Sequence, residues 1–242
     1  MVITVRAGRM SSMFGIGAKR SSEKQPQPGD GGTMDTFANS LVERLLQTGF
    51  DGKSRFDSAH EIARSALQDN GGDPERAVDA VIATHRKLAA SAGFVTGVGG
   101  LVTMPVAVPA NVMGFYLLST RMTAAIAAIR GYDIDQREVR SAVLLTLIGT
   151  DAGEVMKKAG LTATGGITGV ATRKLPPAAL MILNKAVGFR LASRLGGQVL
   201  ARLGKSIPLA GGFIGAGVDL FLLNRIASNA RDELTPRRSI TS

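Results

Sequence analysis

Residues 88–120 run for 33 positions without one charged side chain, and nothing else in the chain restricts its fold so severely. Drawn out as one straight helix, they would reach about 50 Å at 1.5 Å per residue, well beyond a bilayer core of about 30 Å. A straight helix is excluded, because Gly93, Gly97, Gly99 and Gly100 lead into Pro105 and Pro109. A proline inside a helix removes a hydrogen bond, and its ring clashes with the preceding turn. The pattern predicts a helix–break–helix hairpin bent around residues 97–110, with arms of about 16 residues, or about 24 Å. Arms that short fit a wedge or a core hairpin better than a transmembrane pair.

Around this run, the composition narrows the chemistry. The 242 residues include no Cys and no Trp, and His60 and His85 are the only histidines. Disulfides, thiolate zinc sites, Fe–S clusters, cysteine nucleophiles and a three-histidine metal site are therefore excluded, and neither a metal nor a cofactor is expected. Aromatic residues make up only 5% of the chain, too few for a module that binds nucleic acid by base stacking, so no nucleic-acid partner is expected.

Charge is unevenly placed. The net charge of +10 divides into +2 for residues 1–35, −1 for 36–87 and +9 for 88–242. Residues 155–218 hold Lys157, Lys158, Arg173, Lys174, Lys185, Arg190, Arg194, Arg202 and Lys205 and no acid. A field of one sign favours an anionic partner. Gly-, Ala- and Leu-rich surroundings point to anionic lipid.

Periodicity makes the class all-α: a helical bundle with a Gly/Pro-broken apolar hairpin and a second Gly-rich apolar segment. Residues 1–35, rich in Ser, Pro and Gly, read as a disordered leader with no secretory signal core. Residues 36–234 read as one domain, and 235–242 as a frayed basic tail. Phe37, Leu41 and Leu45 open a helical stripe; Ser58 and Glu61 have capping-box spacing; Pro74 suits a first helical position. Val78, Val81, Ile82, His85 and Ala89 share a face, with His85 expected as a buried core histidine. Asp135 and Glu138 are expected to start a central helix over 136–159, ended by Gly160. Beyond Pro176-Pro177 a helix over 178–203 is expected to break at Gly196-Gly197, and residues 207–218 form the second Gly-rich apolar stretch.

Motifs with catalytic overtones fail on context. Gly204-Lys205-Ser206 lacks the glycine a phosphate loop needs five residues earlier, where Val199 stands. Gly97-Val-Gly99 has neither a preceding strand nor a third glycine at position 102. Gly149-Thr-Asp151-Ala-Gly153 has nucleophile-elbow spacing but lies within a helical pattern; Glu154, the residue after it, is spaced to pair with Lys158 at i,i+4. More informative are Gly93-xxx-Gly97 and Gly211-xxx-Gly215, which place small residues one turn apart and allow close helix packing. Phe94, Val95, Val98, Leu101, Val102, Met104, Pro105, Pro109, Phe115, Phe213 and Ile214 are the candidate contacts with membrane or an apolar ligand. Lys157, Lys158, Arg173, Lys174, Arg190, Arg194, Arg202 and Lys205 are the candidate contacts with anionic headgroups, through charge and long snorkelling stems.

The run from Gly93 through Met104-Pro105 and Pro109 to Asn111 is distinctive, as are Arg121-Met122, Ile126 to Asp133, Gly153-Glu154-Val155 and Lys185 to Arg190. In these residues the chain resembles the EcsC family of bacterial proteins over about 55–232. The family is named for an operon that also encodes an ABC transporter, and it supplies no catalytic residues to carry over. The resemblance implies a helical protein on the cytoplasmic side, peripheral to or partly inserted in the inner membrane. It also implies an ABC transporter or another membrane protein as partner. Residues and resemblance together favour a non-enzymatic, membrane-associated protein, accessory to a transport or envelope process. The alternatives are a soluble carrier of a lipid or other apolar ligand, and a hydrolase using Asp151 or Glu154 with His85.

Overall fold

The computed structural model describes residues 31–52, 57–98, 104–161, 165–203 and 211–237; within 31–34, 91–98, 104–112, 195–203 and 211–216 it describes the backbone alone. The fold is all-α, with no strand among the described residues. In chain order the helices are α1 (Gly31–Asp51), α2 (Ala59–Asp69), α3 (Pro74–Val98), α4 (Met104–Ile129), α5 (Arg137–Ile148), α6 (Ala152–Lys158), α7 (Gly166–Thr172), α8 (Pro177–Leu203) and α9 (Gly211–Glu233).

Local signals place several of the starts. Ser58 and Glu61 form the full capping box of α2, each side chain accepting the other residue's amide. Pro74 is the first residue of α3, and the Asp73 carboxylate accepts from the amides of Glu75 and Arg76. At α5 the expected start is displaced. Its N-cap is Gln136 with no side-chain cap. Asp133 instead accepts from the Asp135 amide, while Glu138 accepts from the Leu175 amide ahead of α8.

Three expected elements differ. The helix expected over 136–159 is two, α5 and α6, because Gly149 takes φ +59° and a 3-10 turn, Gly149–Asp151, intervenes. Left-handed backbone suits glycine, so the axis turns there. Helix α8 runs unbroken through Gly196-Gly197. The α3–α4 arms are 25 and 26 residues long, about 38 Å each, because Pro105 and Pro109 lie within α4 rather than at the bend. Pro105 sits in the first turn, where no amide partner is lost. Of the expected leader, 31–35 belong to α1, and the remainder lies outside the described residues. Of the expected tail, 235–237 are tied down: the Tyr132 hydroxyl donates to the Thr235 carbonyl, and the Arg237 amide to the Arg130 carbonyl.

Helix α5 is the core element, with Val139 and every residue from Ser141 to Ile148 buried. Helix α4 packs against it through Met122 to Ala127, all buried. Arg130, buried at the end of α4, donates to the carbonyls of Arg231 and Leu234 and to both oxygens of Glu75 at 3.0 Å. It thereby joins α3, α4 and α9 at their common lower end. Helix α1 lies close against α8 because Gly188 has no side chain; a Cβ there would stand 2.6 Å from the Ala38 carbonyl oxygen.

His85 is buried, its Nδ1 2.8 Å from the Val81 carbonyl oxygen. Burial lowers its pKa from 6.5, with the nearby Arg121 guanidinium acting the same way against the Val81 hydrogen bond. As pH falls below about 6.5, the unfolded chain takes up a proton that the folded protein resists, so stability declines. Replacing His85 with Gln should remove this part of the acid sensitivity, up to about 1.4 kcal/mol per pH unit, from urea midpoints measured between pH 7.5 and 5. In Gly188→Ala, backbone obstructs the new methyl, and a loss of about 1–3 kcal/mol is expected in the same assay.

Candidate functional site

Three helix ends, those of α3, α4 and α9, meet at one end of the bundle. Arg86 on α3 donates to Asn224 on α9, and Arg231 on α9 donates to Asp79 on α3. The partners lie seven residues apart on each helix in opposite chain directions, so α3 and α9 run antiparallel in a fixed register. Val218 therefore stands level with residue 92, and the start of α9 level with the end of α3. Helix α4 is antiparallel to α3 in the same way: Arg130 pairs with Glu75, and Arg121 stands beside His85.

The end of α8 rises toward the same height beside α4. Ser141 on α5 donates to Asn184 at 2.9 Å, and Arg194 donates to the Ile148 carbonyl at 3.0 Å. Helix α8 thus rises parallel to α5. Its Arg194 guanidinium reaches Tyr116 on α4, whose phenol burial pushes above its usual range. Nine further residues carry α8 to Leu203, and residues 204–210 connect it to α9.

This shared end gathers both Gly-rich apolar stretches: 88–98 on α3, 104–120 on α4 and 211–218 on α9 carry no charge. The apolar parts of α3 and α4, 11 and 17 residues long, extend about 16 and 26 Å. Among the described residues, no helix is long and apolar enough to cross a membrane.

The expected contact residues divide accordingly. Gly93, Phe94, Val95, Gly97, Val98, Met104, Pro105, Pro109, Gly211, Phe213, Ile214 and Gly215 lie on the backbone of this end. Leu101 and Val102 fall outside the described residues. Phe115 needs correcting: it is buried, its ring edge-on to Tyr116 at 5.4 Å, because the second half of the uncharged run packs into the core. Sequence reasoning missed Leu88, Val218 and Phe221, which are 47%, 41% and 64% exposed just below the shared end. A signal was present, since Val218 and Phe221 share an α9 face with the exposed polar residues Arg225, Ser228 and Asp232.

The expected headgroup set is not assembled on one surface. Arg194 bonds Asp151 at 2.8 Å; Arg190 pairs with Asp151 at 3.3 Å and also bonds Glu154. Lys158 pairs with Glu154 at 3.1 Å, at the anticipated i,i+4 spacing. These cations hold the Glu154 carboxyl below its ordinary range, the Lys158 and Arg190 hydrogen bonds most of all. Two acids just upstream of the acid-free segment thus fold back against it. Arg173 and Lys174, both exposed, precede α8 and lie a helix length from the shared end, and Lys157 is exposed on α6. Of the remaining two, Arg202 contributes only its backbone in α8, and Lys205 falls outside the described residues.

The hydrolase candidates have separate partners: Asp151 and Glu154 bind guanidinium groups from α8, whereas His85 binds a carbonyl of its own helix. Among the described residues, no group of three or more His, Asp or Glu side chains is placed to hold a metal ion.

Compared with known proteins, the chain matches no curated protein and no solved structure. It does match the EcsC protein family over residues 42–238, from within α1 to the residue after Arg237. That span takes in the bundle from the second half of α1 onward, with its shared apolar end, and the protein belongs to the EcsC protein family.

Proposed function

We propose that this protein associates with the cytoplasmic face of a membrane by dipping the shared end of α3, α4 and α9 into the lipid interface. The observation that carries the reading is the convergence of two uncharged Gly-rich stretches, distant in sequence, at one end of the bundle. Exposed Leu88, Val218 and Phe221 border that end. Apolar surface gains about 25 cal/mol per Å² on leaving water, and a bordering set of large side chains adds to what the end itself can bury. The apolar helix lengths favour partial insertion over spanning, because neither reaches the thickness of a bilayer core. On this reading the protein is an accessory to a membrane process, and Glu75, Asp79, Asp151 and Glu154 serve ion pairs between elements.

Cosedimentation with phospholipid vesicles tests the reading. The full chain should pellet with vesicles, and Val218→Asp with Phe221→Asp should weaken binding by at least tenfold while leaving the circular dichroism spectrum unchanged. Both side chains are exposed, so the fold tolerates the change. Equal binding by the double variant would contradict lipid contact at this end.

A further inference from the structure

On α3, α4 and α9 the cations that border the uncharged stretches occupy nearly one level. On α3 the last charges before the uncharged stretch are Arg86 and Lys87, and on α4 the first charge after it is Arg121. Arg121 stands beside His85, and Asn224 accepts from Arg86, so Arg121 and Arg225 come to the height of residues 85–87. Three sequence-distant segments thus contribute four cations within about one helical turn of height, about 5 Å. Arg86, Lys87 and Arg225 are exposed, and Arg121 is partly buried, donating to the Asp57 carbonyl. The acids near this level are Asp57, beside Arg121, buried Asp219, one and a half turns nearer the end, and Asp151, whose partner Arg194 reaches Tyr116 at about the height of Asp219. Leu88, Val218 and Phe221 lie immediately above the cations.

We infer that Arg86, Lys87 and Arg225, with Arg121 behind them, form a basic girdle that receives the headgroups of anionic phospholipids and sets how deeply the apolar end enters. The inference rests on the membrane reading above and replaces the 155–218 cations as the headgroup contact. Apolar side chains directly above a level of cations reproduce the order of a lipid monolayer, acyl region first and phosphate next. Each Lys or Arg held near an anionic surface adds about 1 kcal/mol, or about fivefold in affinity. Arg and Lys stems also lie along apolar surface while their charged heads remain wet. The girdle therefore supplies selectivity for anionic lipid, and the end above it supplies affinity for any bilayer.

Binding of the full chain to phosphatidylcholine vesicles and to vesicles of phosphatidylcholine with phosphatidylglycerol separates the two contributions. Lys87→Gln with Arg225→Gln leaves the Arg86–Asn224 bond intact. This variant should lose about fivefold per charge on anionic vesicles and nothing on neutral ones. Adding Arg86→Gln should deepen the loss, and Arg173→Gln with Lys174→Gln at the far end should leave binding unchanged. Full anionic affinity in the Lys87/Arg225 variant, or an equal loss in the Arg173/Lys174 variant, would overturn the girdle while leaving lipid contact by the apolar end standing. Failure of the wild-type chain to bind either vesicle would overturn both.

Discussion

The antiparallel seating of α9 on α3 is the contact on which the rest of the molecule depends. Without it, the Gly-rich stretches near residues 93 and 211 are merely two apolar segments more than a hundred residues apart. The Arg86–Asn224 and Arg231–Asp79 bonds set its register, and Arg130 fixes its lower end by gathering the α9 carbonyls and Glu75 around one buried guanidinium. A charged hydrogen-bonding group in such a position contributes about 1.5–3 kcal/mol. It also prefers one register over others a turn away, since sliding α9 would separate all these partners together.

A division along the bundle axis follows. The lower end is polar and cross-linked: Tyr132 holds Thr235, Glu233 accepts from the Ile167 amide, and Arg237 lies over the Tyr132 ring. The middle is an apolar core around α5 and the buried half of α4. The upper end carries the uncharged stretches of α3, α4 and α9. On the membrane reading, an end rich in glycine and valine buries less surface per residue than one rich in leucine, which suits reversible entry into an interface.

Much of this was legible in the sequence. Capping residues marked the starts of α2 and α3, the apolar stripes identified the core helices, and a buried neutral His85 followed from its place on an apolar face. The misread elements share one cause, which is that sequence pattern reports local preference while packing decides the outcome. Gly149 bends the chain because its backbone is left-handed, whereas Gly196-Gly197 leaves α8 continuous. Pro105 lies in the opening turn of α4, and Pro109 lies further inside without ending the helix. The acid-free segment 155–218 reads as a field of one sign; its nearest acids, Asp151 and Glu154, lie just outside it and return to it through the turn at Gly149. Arg86, Lys87, Arg121 and Arg225 gave no joint signal, because only the three-helix register brings them to one height.

The most direct measurement is the depth of the shared end in lipid. The chain has no native cysteine, so single cysteines at positions 98, 213 and 174 can each carry a spin label on the full protein. With anionic vesicles present, labels at 98 and 213 should become accessible to oxygen and shielded from a water-soluble nickel complex, while the label at 174 stays wet. Labels at 98 and 213 that remain as open to nickel as the one at 174 would contradict insertion by this end.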